Sequence, residues 1–112
     1  MDIEMLRTLC LSLPGATEDI KWENDLCFCV GGKMFCATGL EPDSPISFKV
    51  PDDSFDEVST RPGFKPAPYL ASAKWVSVAE YGLLNKEEWA FFVRRSYELV
   101  KAKLPKKIRD HL

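Results

Sequence analysis

Histidine is almost missing from this chain: there is one, His111, among 112 residues. Without a second imidazole, no Ser/His or Cys/His pair with an orienting third group can be assembled. Four cysteines are present, Cys10, Cys27, Cys29 and Cys36, but no CxxC spacing. A closed zinc site needs four ligands, so no metal or cofactor is expected. No apolar run approaches the roughly 18 residues that span a bilayer. The opening Met1-Asp2-Ile3-Glu4 carries acid where a secretory leader carries Lys or Arg, and no apolar leader core follows. Cytoplasm is therefore the expected location, with no membrane partner and the thiols reduced. Nor is there a strong charge of either sign: 15 Lys/Arg stand against 17 Asp/Glu, a net of −2. A global pull on nucleic acid is excluded.

What is present is an ordinary globular balance, 46% hydrophobic and 29% charged, too apolar for a disordered chain. No repeat, low-complexity tract or linker interrupts it, and residues 1–112 are expected to form one domain. Charge is unevenly spread. Residues 1–84 carry a net of −6 and residues 85–112 a net of +4, so attraction for an anion must come from a local patch.

Asp2 is placed to cap a first helix whose Ile3, Leu6, Leu9, Cys10 and Leu13 recur at helical spacing until Pro14-Gly15. After a polar stretch, Leu26–Val30 and Lys33–Thr38 flank Gly31-Gly32, the signature of a tight hairpin. Ile46, Phe48 and Val50 alternate with Ser47 and Lys49 as a third strand. Pro51-Asp52-Asp53 opens a short helix with Phe55 and Val58 inward. The Pro-rich run Arg61–Ala73 leaves room only for a short edge strand at Pro68–Leu70, and Lys74–Val78 is the last strand. Asn85 and Glu88 form a capping box for a long final helix, with Trp89, Phe92, Val93, Ser96, Tyr97, Val100 and Leu104 on one stripe before Pro105. The order α-β-β-β-α-(β)-β-α places the chain in the α+β class, an antiparallel sheet with three helices.

Three groups of residues invite chemistry. A two-residue Gly31-Gly32 loop sets Cys27 opposite Cys36 and Cys29 opposite Met34, which puts three thiols on one hairpin face. Without a fourth ligand they are expected to pack as small apolar groups, with both hairpin faces covered or one meeting a partner. The acidic pairs Asp52-Asp53 and Glu87-Glu88 stand at helix starts, where dipole compensation accounts for them, and Gly31-Gly32-Lys33 lacks the frame of a phosphate loop. Arg94, Arg95, Lys101, Lys103, Lys106, Lys107 and Arg109 read as a solvated helix face with a cationic C-terminal turn. The second basic set, Lys49, Lys65 and Lys74 with Arg61, is interleaved with Tyr69 and Trp75, a composition suited to holding phosphates and stacking a base.

Leu13-Pro-Gly-Ala-Thr-Glu-Asp19, Val30-Gly-Gly-Lys-Met-Phe35, Ile46-Ser-Phe-Lys-Val50, Pro68-Tyr69, Lys74-Trp75-Val76 and Ser96-Tyr-Glu-Leu-Val100 follow one another in the order typical of the MmcQ/YjbR-like family, which the whole chain resembles. The resemblance implies an α-β(3)-α-β(2)-α fold of the secretion-chaperone-like or CyaY-like kind. It also implies a non-enzymatic domain that binds DNA through a double-wing surface. The matching positions are Lys33 at the hairpin tip, Lys49, and Lys74 with Trp75, to which the basic-aromatic grouping adds Lys65 and Tyr69. Family members often carry a His between the Tyr and the Trp; here the segment reads Tyr69-Leu-Ala-Ser-Ala-Lys-Trp75, and any role of that His is lost. DNA binding on so few phosphate contacts is expected to be weak, non-specific and salt-dependent. The alternative is an adaptor that meets a protein partner, or a second copy of itself, through an apolar sheet face.

Overall fold

Local capping sets the helices as the sequence leads one to expect. In the computed structural model, which describes residues 1–112, the Asp2 carboxylate accepts from Met5 N at 2.9 Å and starts α1, Ile3–Leu11. Asn85 and Glu88 close their box with reciprocal bonds of 2.8 and 3.1 Å and start α3, Lys86–Ala102. Between them lie β1 (Ala16–Lys21), β2 (Asp25–Val30), β3 (Lys33–Gly39), β4 (Ile46–Lys49), a 3-10 turn leading into α2 (Phe55–Ser59), β5 (Phe64–Pro66) and β6 (Trp75–Val78). Pro105 then begins a last short helix, α4, Lys106–Arg109. The α+β class holds: one antiparallel six-stranded sheet, ordered β1-β2-β3-β4-β6-β5, with an N-terminal, a short middle and a long C-terminal helix.

The sheet has one strand more than the motif order implies, and its fifth strand is shifted. β1 occupies the stretch that reads as merely polar. It pairs with β2 along six residues, from Ala16 opposite Val30 to Lys21 opposite Asp25. Its residues are exposed or half-buried, so burial leaves no alternation to detect. Its turn also hides, because Trp22 and Glu23 take the positive φ angles (50° and 70°) where a hairpin ordinarily shows Gly. The edge strand expected at Pro68–Leu70 is instead Phe64–Pro66, paired with Val78–Val76. Pro68–Leu70 is turn, with Tyr69 at φ 64°.

One apolar cluster of 20 buried residues lies between the sheet and the helices. Leu26, Phe28, Val30, Phe35, Ile46, Phe48, Val76 and Val78 enter it from the strands, and Trp89, Phe92, Val93, Tyr97, Val100 and Leu104 from α3 or just beyond it. The aromatic contacts are edge-on or offset: Phe35 meets Tyr97 at 5.4 Å, and Phe48 stacks on Phe92 at 5.2 Å. Cys27, Cys29 and Trp75 are buried yet stand outside this cluster, on the opposite, outer face of the sheet.

The hairpin register differs from the simple two-residue-loop pairing. Cys29 does face Met34, but a bulge follows, and Phe28 pairs with Cys36 and Cys27 with Ala37. Phe35 is the extra residue, and both Phe35 and Cys36 turn into the core. The expected trio of thiols is thereby split. Cys36 sits in the core beside Cys10, while Cys27 and Cys29 remain on the outer face.

Candidate functional site

Strand direction decides where the lysines go. β2 ends at Val30, β3 begins at Lys33, β4 ends at Lys49, and β6 begins at Trp75 just after Lys74. Because every neighbour is antiparallel, Lys33, Lys49 and Lys74 all stand at the same end of the sheet. The last helices deliver more cations there. A Cβ on Gly31 would lie 2.6 Å from Leu104 Cδ1 and 3.2 Å from Ile108 Cγ2, so the hairpin tip rests on the α3–α4 junction. That contact brings the exposed Lys103, Lys106 and Lys107 to the end that holds Lys33. The opposite end gathers acid: Glu23 and Asp25 at the β1–β2 turn, Glu41 and Asp43 after β3, and Glu80 after β6. The division is partial: Asp52 and Asp53 follow β4 at the basic end, and Lys21 stands opposite Asp25 at the acidic one.

Lys49 is the innermost cation of the basic end. Its residue is 8% exposed, and its Nζ donates to the carbonyl of Ala73. Burial lowers its pKa, and the neighbouring ammonium groups of Lys103 and Lys74 lower it further, with Asp52 partly opposing them. Lys49 is therefore within Coulombic reach of two other cations, Lys103 and Lys74, and of the carboxylate of Asp52. Lys74 takes a left-handed backbone, φ 65°, and lays its ammonium 5.0 Å from the centre of the Phe55 ring.

The remaining expected residues are not all part of this end. Trp75, the direct cross-strand partner of Lys49, is 5% exposed, so the free indole needed to stack a base is not there. It fills the outer layer of the sheet, where Ala67 N and Trp75 N each bond across the Pro-rich segment, to Trp75 O and Leu70 O. Lys65 is exposed but set back along β5, opposite Ser77. Tyr69 is fully exposed (103%) and borders a hollow on the outer face of the sheet whose lining includes none of the lysines. Conversely, Lys103, Lys106 and Lys107 join the site although their spacing alone reads as a solvated face. Their only signal in the sequence is the +4 balance of residues 85–112.

Three of the thiols are held toward the protonated form. Contact with Cys36, together with burial, pushes Cys10 far up, and burial raises Cys27 and Cys29. Each change withholds the thiolate. No grouping of three His, Cys, Asp or Glu side chains has the arrangement of a metal site. No helix is long and apolar enough to cross a membrane.

The family model described as YjbR matches residues 11–99. The chain belongs to the YjbR family. A crystal structure of a Deinococcus radiodurans protein carrying a DUF419 domain superposes with a TM-score of 0.87 at 26% identity, over 97% of this chain and 86% of that one. A Pseudomonas syringae protein of 18% identity superposes with a TM-score of 0.75, over 89% of this chain and 99% of that one, a likeness of fold alone. No protein with a curated description matches.

Proposed function

We propose that this YjbR-family chain is a non-catalytic binding domain that takes up duplex DNA by its phosphates at the lysine-rich end. The convergence of Lys33, Lys49 and Lys74 with Lys103 at one end of the sheet carries this reading. A phosphate would meet the exposed Lys33 and Lys103 at this end and would be attracted by the lysines gathered around Lys49. The hairpin tip beside α4 and the β4–β6 end are the two projections a double-wing grip would use. Because Trp75 is buried, contacts are with the backbone and not the bases. The domain then gains nothing from a single strand over a duplex and reads little sequence. The raised thiol pKa values and the solitary imidazole favour binding over catalysis.

Fluorescence anisotropy with a labelled random-sequence duplex of about 20 base pairs tests this reading. Binding in the range of roughly 1–100 micromolar, lost as salt rises toward about 200 mM, is the expected result. No binding at tens of micromolar protein in low salt, or a marked preference for a single strand with stacked bases, would refute it.

A further inference from the structure

The outer face of the sheet carries a second feature that the basic end does not use. A hollow of about 550 Å³ lies over β3 and β4, walled by Trp22 from the β1–β2 turn and by Pro68, Tyr69 and Leu70 from the Pro-rich segment. Met34, Ala37 and Ser47 form its floor, and Pro45 and Asp25 its rim. Trp22 is 73% exposed and Tyr69 fully so, whereas the other two tryptophans, Trp75 and Trp89, are buried. Both wall residues hold left-handed backbones, φ 50° and 64°, which residues with a β-carbon disfavour. Two large rings, one from each of two separate turns, are thus held out to water at a conformational cost in the lining of one depression.

The charge of the hollow specifies its occupant. Asp25 is the only charged residue in the lining, it makes no ion pair, and Glu23 stands beside it at the acidic end. Lys21, its cross-strand neighbour, does not bond to it. The lining offers a phosphate no cation, although Lys21 acts on Cys27 and Cys29 of the same face. A cation is attracted by the carboxylate and by the electron-rich faces of Trp22 and Tyr69. The walls are too exposed to enclose a small molecule as ligand pockets do. An open trough with rigid proline and aromatic sides suits an extended polypeptide. We propose that this hollow docks an extended segment of a partner protein, one that carries a Lys or Arg side chain among apolar residues, with the cation between Trp22, Tyr69 and Asp25. This site does not rest on the DNA reading: its floor reaches toward Lys33 and Lys49, but its carboxylate, Asp25, is at the other end of the strands.

A random heptapeptide library displayed on phage, selected on the full chain and counter-selected on a Trp22→Asn/Tyr69→Asn double variant, tests it. Asn tolerates the left-handed backbone at both positions, so the variant is expected to fold, which circular dichroism and its Tm check. Recovered peptides should carry Lys or Arg flanked by apolar residues. As synthetic peptides they should change the emission of Trp22 and bind about tenfold more weakly to Asp25→Asn. DNA binding by the same variants should be unchanged. The proposal is overturned if no peptide outlasts counter-selection, if the peptides lack a cation, or if Asp25→Asn binds them as well as the parent. It is equally overturned if ultracentrifugation finds a dimer of the parent chain that Trp22→Asn dissociates, since the hollow then belongs to a second copy.

Discussion

The hydroxyl of Ser96 donates to the carbonyl of Phe35 at 2.6 Å and accepts from the N–H of Lys49 at 2.9 Å. Phe35 and Lys49 are the next rung of the β3–β4 ladder beyond Cys36–Phe48. A helix side chain therefore bridges the gap where two strands part, and in doing so seats Lys49 at the basic end. Ser96→Ala leaves both buried backbone groups without a partner. A loss of about 2–6 kcal/mol is expected, from roughly 1–3 for each of the two unsatisfied groups. Urea unfolding measures it, and a loss below about 0.5 kcal/mol would mean the strands close the gap themselves.

Charge reversal separates the lysines that converge from the one that does not. Lys33→Glu, Lys74→Glu and Lys103→Glu should each weaken duplex binding and lower the slope of log K against log salt by about 1. Lys65→Glu, set back on β5, should leave that slope unchanged. Equal effects at all four positions would mean that only net charge matters.

The two hairpin glycines should differ. Both have positive φ, 57° at Gly31 and 80° at Gly32, so an alanine at either position is strained by about 1–2 kcal/mol. Nothing lies within 4 Å of a Cβ on Gly32, whereas one on Gly31 collides with Leu104. Gly31→Ala should cost a further 1–3 kcal/mol, roughly, from that overlap. It should also reduce DNA affinity without any change of charge, because Lys33 moves away from α4. Paired denaturation and anisotropy measurements test both halves, and equal costs at the two glycines would remove the proposed seating of the tip.

Alkaline pH should destabilise the fold. Contact with Cys36 and then burial raise Cys10, burial raises Cys27 and Cys29, and burial raises Tyr81 and Tyr97. In the unfolded chain thiols lose protons from about pH 9 and phenols from about pH 10, while the folded chain retains them. The folded state then binds more protons, so the stability these groups contribute is full below that window and falls as pH rises through it. Lys49 opposes the trend: its lowered pKa lets the folded chain release a proton first, and stability rises with pH below the ordinary lysine value. It is one group against five. Urea midpoints should drop between about pH 8 and about pH 10, and Cys10→Ala should shrink that drop. Midpoints that hold steady would show the thiols ionising freely in the native state.

What could be read in advance was whatever depends on neighbours within a few residues. The Asp2 cap, the Asn85–Glu88 box, the apolar stripe of α3 and the Gly31-Gly32 turn are local, and each appears as expected. β1 escaped because its turn uses Trp22 and Glu23 in place of Gly and its side chains are mostly wet. The thiol trio dissolved because one bulge, invisible to periodicity, moves Cys36 to the other face.

The residue sequence by itself determined three of the four helices (α4 was not among them), most of the strands, the family motifs and the surplus of cations after residue 85. Only the tertiary structure decided which of those cations share one end of the sheet, that Trp75 is covered, and that Trp22 and Tyr69 line one hollow. The reason is range. Caps and periodicities act across one or two turns of chain, whereas strand order and the docking of α4 on the hairpin tip join residues more than 70 positions apart, such as Gly31 and Leu104.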